Sequence, residues 1–260
     1  KTYGGSGGEW ASSVQQTSDG GYIVAGWTNS FGSGLDDLFL IKINASGNVQ
    51  WAKTYGGTGS VLYADRAYSV QQTSDGGYIV AGWTYSFGAG SSDIILIKTD
   101  ASGNVQWAKT YGGGPMDEPS SVQQTSDGGY IVAGWTSSFG AYYWDIFLIK
   151  TDANGNVQWA KTYGVTDWDE GYSVQQTSDG GYIVAGSTGP FGVGSSDIIL
   201  IKTDANGNVQ WAKTYGGTGW DFAHYVRQTS DGGYIVAGWT QSFGAGGRDI
   251  FLIKTDANGN

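Results

Sequence analysis

TSDGGYIVAG, at Thr125 to Gly134, is the stretch that decides the fold. The same ten residues stand unchanged at Thr17, Thr73, Thr125, Thr177 and Thr229, at steps of 56, 52, 52 and 52 residues. A fixed period of this size marks an array of like supersecondary units that bury their faces against one another. Outward from the third copy, SVQQT reads as a strand. Asp127-Gly128 supplies a hairpin turn, and YIVAGWT (Tyr130 to Thr136) reads as a second strand, apolar on both faces. DIFLIKTD follows as a third strand, Asn154-Gly155 as a second hairpin turn, and VQWAKTYG (Val157 to Gly164) as a fourth. Val157, Trp159, Lys161 and Tyr163 share one face of that last strand; Gln158, Ala160 and Thr162 share the other, which is polar enough to meet water.

Each unit is thus expected to be a four-stranded antiparallel meander, too small to bury itself. The expected fold is all-β: a single domain over 1–260, a five-bladed β-propeller of four-stranded antiparallel blades. The blades run at about 9–57, 65–113, 117–165, 169–217 and 221–260 plus 1–5. An open solenoid fits less well, because its rungs are usually shorter and lack two hairpins. The chain ends on TDANGN, before a fourth strand, and opens on Lys1-Thr2-Tyr3, the second half of that strand. The N-terminal strand is therefore expected to complete the last blade and close the ring. Opening in mid-motif without a signal peptide, the chain reads as a domain of a larger protein, most simply a monomeric one.

Composition narrows the partners. The net charge is −10 and no Lys-rich or Arg-rich run exists, which disfavours nucleic acid and anionic membrane surfaces. No apolar run is long enough to insert in a membrane as a helix. The absence of Cys removes disulfides, thiolate metal sites and thiol nucleophiles.

SDGGYIVAGWT, SFGAG and DIFLIKTDANGNVQWAKTYGG resemble the β-propeller repeats of secreted and cell-surface bacterial and archaeal proteins. KTDANGNVQWAKTYGG is also similar to quinoprotein-like propeller blades. The resemblance covers the whole chain and implies the fold and an extracellular or cell-surface setting. No residues match the quinone site of those enzymes, so no cofactor is carried over.

The five copies differ in two loops, one joining strands two and three and one joining successive units. In a meander, turns alternate ends, so both variable loops belong on one face. Loops on a rigid scaffold are the usual place for recognition. The aromatics there are the candidate ligand contacts. Trp27, Trp83, Trp135 and Trp239 end the second strand, where the fourth copy has Ser187 instead. Trp10, Tyr63, Tyr143, Trp144, Trp168, Trp220 and Tyr225 do not repeat, and Arg66 and His224, the single histidine, join them. Exposed rings stack on sugars or peptide side chains; the alternatives are wedging between blades and local loop packing. A single patch centred on Trp168 and Trp220 is favoured over four equivalent tryptophan sites.

Glu9, Asp65, Asp117, Asp169 and Asp221 precede the innermost strands and are expected to ring the mouth of the central channel. Such a ring would hold a hard cation such as calcium or bind sugar hydroxyls. The favoured reading is that each carboxylate accepts bonds from its own loop amides. Asp37, Asp93, Asp145, Asp197 and Asp249, which open strand three, read as structural. Five near-equivalent acids lack the split environments of an acid/base pair, so catalysis is not expected. The expected function is a non-catalytic module that recognises a protein surface or a glycan. The alternatives are a spacer or display element and, last, a glycoside-active enzyme.

Overall fold

The computed structural model describes residues 1–33, 35–57, 64–140, 143–164, 168–189 and 195–260. Among these the chain is all-β. The first sheet is β1 (Glu9–Gln16), β2 (Tyr22–Thr28), β3 (Asp37–Ile43) and β4 (Val49–Tyr55). The second is β5 (Asp65–Gln72), β6 (Tyr78–Thr84), β7 (Asp93–Thr99) and β8 (Val105–Tyr111). The third is β9 (Asp117–Gln124), β10 (Tyr130–Thr136), β11 (Asp145–Thr151) and β12 (Val157–Tyr163). The fourth is β13 (Glu170–Gln176), β14 (Tyr182–Thr188), β15 (Asp197–Thr203) and β16 (Val209–Tyr215). The fifth has three strands, β17 (Asp221–Gln228), β18 (Tyr234–Thr240) and β19 (Asp249–Thr255). Strand order follows chain order in every sheet. The chain divides into two compact units, Lys1–Gln124 and Thr125–Asn260. No helix among the described residues is long and apolar enough to cross a membrane.

The second and third strands form the core, because YIVAG and DI(I/F)LIK are apolar on both faces. In β6, β7, β11 and β14 every residue is buried. Within the first unit Ile23, Leu40, Val70 and Tyr78 pack together; within the second, Ile183, Leu200, Val226 and Tyr234 do. Outer strands alternate as expected at their C-terminal halves, where Lys and Tyr reach the second glycine turn of the following sheet, Ser102-Gly103 or Asn206-Gly207. Lys53 Nζ donates to Asn104 at 2.6 Å and Tyr55 Oη to the Gly103 carbonyl at 2.7 Å. Lys161 and Tyr163 repeat these bonds with Asn208 and Gly207.

The N-terminal halves of the outer strands differ from expectation. A bulge at Gln50 and its equivalents shifts the register, since Lys42 opposes Trp51 while Ile43 opposes Val49. Val49 is turned out to solvent, and Gln50 accepts from Lys42 Nζ at 2.9 Å. The same happens at Lys98, Lys150 and Lys202. These four lysines are almost wholly buried. Each sits 2.8–2.9 Å from the aspartate of its first turn: Asp19, Asp75, Asp127 or Asp179. Burial opposes the charge on Asp75, Asp127 and Asp179. The lysine, the turn threonine and a glycine amide overcome that and hold the three carboxyls at about 2.

The expected closing strand is not formed. Residues 1–8 contain no strand, and Lys1 and Tyr3 bond Asn48 and the Gly47 carbonyl of the first sheet's own turn. These contacts copy those of Lys53 and Tyr55. Lys-Thr-Tyr is three of the seven residues of an outer strand, and it lacks the Val-Gln-Trp-Ala half that carries the bulge and most of the ladder.

Candidate functional site

Because the strands alternate direction, the variable loops gather at the end of each sheet opposite the Asp-Gly turns. There the chain crosses from one sheet to the next over short parallel bridges, Asp36 to Ala64, Ser92 to Met116 and Ser196 to Trp220. The amides of Asp65, Asp117, Asp169 and Asp221 close these crossings on the carbonyls of Asp36, Ser92, Trp144 and Ser196 at 2.8–2.9 Å.

The acids at this end are loop anchors. Asp65, Asp117, Asp169 and Asp221 are at most 3% exposed. Asp65 accepts from the Thr84 and Ser86 hydroxyls and the Gly57 amide; Asp221 does so from Thr240, Ser242 and Gly217. Asp117 accepts from the Gly113 amide, and Glu9 from Gly5 and Thr28. The strand-three aspartates lie beside them. A Cβ on Gly216 would stand 2.0 Å from Asp197 and 2.7 Å from Asp221, so glycine is what lets the two carboxylates share that crossing. Among the described residues no group of three or more His, Asp or Glu is placed to hold a metal ion.

The aromatics form stacks. In the first unit Trp10 lies on Trp27 at 5.1 Å, and the Arg66 guanidinium stands between Trp27 (4.4 Å) and Trp83 (5.3 Å). Arg66 also donates from Nε and Nη2 to Asp36 Oδ2 at 3.0 and 2.6 Å. Trp83 is therefore not an open platform: it is 6% exposed, and its Nε1 donates to Tyr68 Oη at 3.0 Å. In the second unit Trp135, Trp144 and Trp168 stack in series at 4.3 and 5.4 Å. Trp220, Phe222 and Trp239 form another series at 6.0 and 4.7 Å, with Arg248 4.1 Å above Trp239. Tyr143 and Tyr225 are exposed, and neither joins a stack among the described residues. Tyr63 lies outside the described residues.

At the fourth sheet the pattern breaks. Where the first, second and fifth sheets set Trp10 against Trp27, Arg66 against Trp83 and Phe222 against Trp239, the fourth sets Glu170 against Ser187. The missing ring leaves a cleft of about 190 Å³. Trp168, Trp220, Phe222 and Glu170 line it, with Ser187 and Ser196. Trp168 and Trp220 remain 56% and 44% exposed. Tyr172 donates to Glu170 Oε2, while Oε1 takes no bond from a described residue. Burial pushes the Glu170 carboxyl above its ordinary range.

Trp168 and Trp220, singled out in the sequence, are thus brought to one cleft. His224 lies outside the cleft lining, ring to ring at 5.3 Å with Tyr172, the residue that bonds Glu170. Glu170, Tyr172 and Phe222 were missed. The signal for Glu170 was available, since it faces the one non-tryptophan at that strand end. The signal for Tyr172 was not: it is the extra residue of a bulge between Gly171 and Ser173, as Tyr68 and His224 are in β5 and β17. Bulges re-aim a side chain without a mark in the hydrophobic pattern.

Residues 73–105 match a family model described as a domain of unknown function, DUF5122, beta-propeller. A curated relative, Regulatory protein FlaEY of Caulobacter vibrioides, is 30% identical over 138 residues, 44% of this chain. The match spans 14% of that relative's length. Among solved structures, a protein of unknown function from Bacteroides caccae aligns over 97% of this chain and 80% of its own. Its TM-score is 0.58 at 13% identity. The WD40 domain of Neurospora crassa Pan2 aligns over 94% of this chain and 62% of its own, with a TM-score of 0.57 at 14% identity. These likenesses support a β-propeller fold, and the four-stranded sheets are its blades.

Proposed function

We propose that this chain is a non-catalytic recognition module that binds a protein surface through the loop end of its blades. The observation that carries this is the blade-four cleft. Two large, half-exposed rings and an aromatic wall stand around a carboxylate that has no Lys or Arg partner among the described residues. Buried aromatic anchors of this kind supply most of the energy of an interface. The propeller fold supports the reading only as a scaffold for exposed loops. Binding alone is the expected work of the site, because Asp65, Asp117 and Asp221 are tied to their own loops. A cell-surface setting belongs to the same proposal and rests on the resemblance of the repeats.

The architectural part of this reading is one propeller of five blades. Five sequence copies support it, as does the way Lys1 and Tyr3 reproduce the contacts of an outer strand. Deleting Lys1 to Gly5 should then lower the thermal midpoint clearly. The functional test is a screen on peptide and glycan arrays, run beside Trp168→Ala with Trp220→Ala. Peptide hits that vanish in the double variant, at an unchanged thermal midpoint, support the reading. Glycan hits with the same dependence would replace protein by carbohydrate. Silence on both arrays would favour a spacer, and turnover of a chromogenic glycoside would favour an enzyme.

A further inference from the structure

Resting on the recognition reading above, we infer that the blade-four cleft takes the guanidinium of an arginine side chain presented by a protein partner. The molecule contains its own template for this. In blade two a guanidinium lies between two indoles, 4.4 Å from Trp27 and 5.3 Å from Trp83, and bonds the carboxylate of Asp36. In blade five Arg248 covers Trp239 at 4.1 Å. Two of the aromatic stacks at the loop ends therefore carry an arginine. Trp220 and Phe222 belong to the series that Arg248 covers at its far ring, but among the described residues no arginine lies on Trp168, Trp220 or Phe222 themselves, and the other components are present. Trp168, Trp220 and Phe222 provide ring faces, and Glu170 provides a carboxylate with Oε1 unbonded by any described residue. Among the described residues no Lys or Arg lines the cleft.

The chemistry selects the ligand. A planar, weakly hydrated guanidinium stacks on indole and at the same time donates to a carboxylate. An ammonium is more strongly hydrated and offers no plane to stack. A neutral sugar or a tyrosine ring would use the indoles and leave a half-buried Glu170 charge uncompensated, which burial already disfavours. The cleft is also small, about 190 Å³, on the scale of one side chain rather than an oligosaccharide. The acidic chain, with net charge −10, favours a basic partner at longer range.

The test titrates the whole chain with a short Gly-Arg-Gly peptide amide and with its citrulline counterpart, which keeps the shape and loses the charge. Tryptophan fluorescence and calorimetry follow binding. The expected result is saturable one-to-one binding of the arginine peptide, weakened about tenfold or more by citrulline, by Glu170→Gln or by Trp220→Ala. Ser187→Trp should abolish it by restoring the missing ring. Should Trp220→Ala fail to fold, Trp168→Ala, at an exposed position, replaces it. Equal binding of the citrulline peptide, indifference to Glu170→Gln, or no saturable arginine binding would each overturn the inference. A Gly-Tyr-Gly peptide and a neutral oligosaccharide run in parallel separate the two levels. If either binds and is lost in the tryptophan variants, recognition stands and the guanidinium assignment falls. If nothing binds, both fall.

Discussion

Blades two and four share a backbone, a register and a turn, and they differ at one end. In both, the residue after the crossing aspartate faces the sixth residue of YIVAGWT or YIVAGST: Arg66 against Trp83, and Glu170 against Ser187. In both, a tyrosine occupies the bulge, Tyr68 or Tyr172. In blade two the tyrosine is bonded by Trp83 and the arginine fills the space beside it. In blade four the tyrosine bonds Glu170 and the space stays open. A sealed end and a cleft are thus two settings of one scaffold, chosen by two side chains. The fold tolerates either because the blade is held together elsewhere, by Lys98 with Asp75 and by Lys202 with Asp179 at the opposite end.

Two substitutions convert the loop end of blade four into that of blade two. Glu170→Arg with Ser187→Trp should remove all binding at the cleft while changing stability by less than about 1 kcal/mol, since the loop end is partly exposed. A chemical melt and a peptide titration on the same sample check both halves. At the shared turn end the two blades should not differ. Asp75→Ala and Asp179→Ala should each cost about 3 kcal/mol, because each strands a buried lysine and removes the acceptor of its turn. Asp231→Ala should cost under about 1 kcal/mol, because Lys254 is 46% exposed. Urea melts of the three variants would decide this, and unequal losses at Asp75 and Asp179 would end the claim of equivalence.

Blade two can in turn be opened by a single substitution. Arg66→Ala removes a guanidinium from two indoles and from Asp36, a partly exposed arrangement worth about 1 kcal/mol. It should also create a second slot, so that added guanidinium restores the thermal midpoint in this variant more than in the parent. The smallest effect is on acid stability. Asp75, Asp127 and Asp179 have folded values of about 2, below the unfolded 3.8. Their stabilisation is present above the unfolded value and is lost as pH falls through the folded one. Each aspartate side chain is about half exposed, so screening limits each to about 1 kcal/mol. Blades two, three and four should lose it together between about pH 4 and 2, visible as a steepening of the thermal midpoint against pH.

Much of this blade was legible before any coordinates. The strands fall where YIVAGWT and DIFLIKTD placed them, and Gly128 and Gly155 take the positive φ of 83° and 74° that Asp-Gly and Asn-Gly turns require. The lysine of IKTD was not legible as a buried group. Its partner Asp127 is 23 residues away, and Gln158 reaches it only because of a bulge that the alternation pattern does not show. Trp83 was misleading for a related reason. Its exposure depends on Arg66 and Tyr68, from a strand whose register is shifted by one residue.

The unit is written in the sequence: antiparallel strands joined by two glycine turns with an acid at each crossing, four copies with a fourth, outer strand and a fifth copy with three strands. Those features follow from residues within a few positions of one another, through backbone conformation and the period of the apolar pattern. Which end of which blade is open depends on packing between segments distant in the chain. Trp168, Glu170, Ser187 and Trp220 span 52 residues, and they meet because adjacent blades stack and a bulge turns Tyr172 onto Glu170. Side-chain contacts across stacked sheets depend on register and packing between segments distant in the chain, and local periodicity carries no record of either.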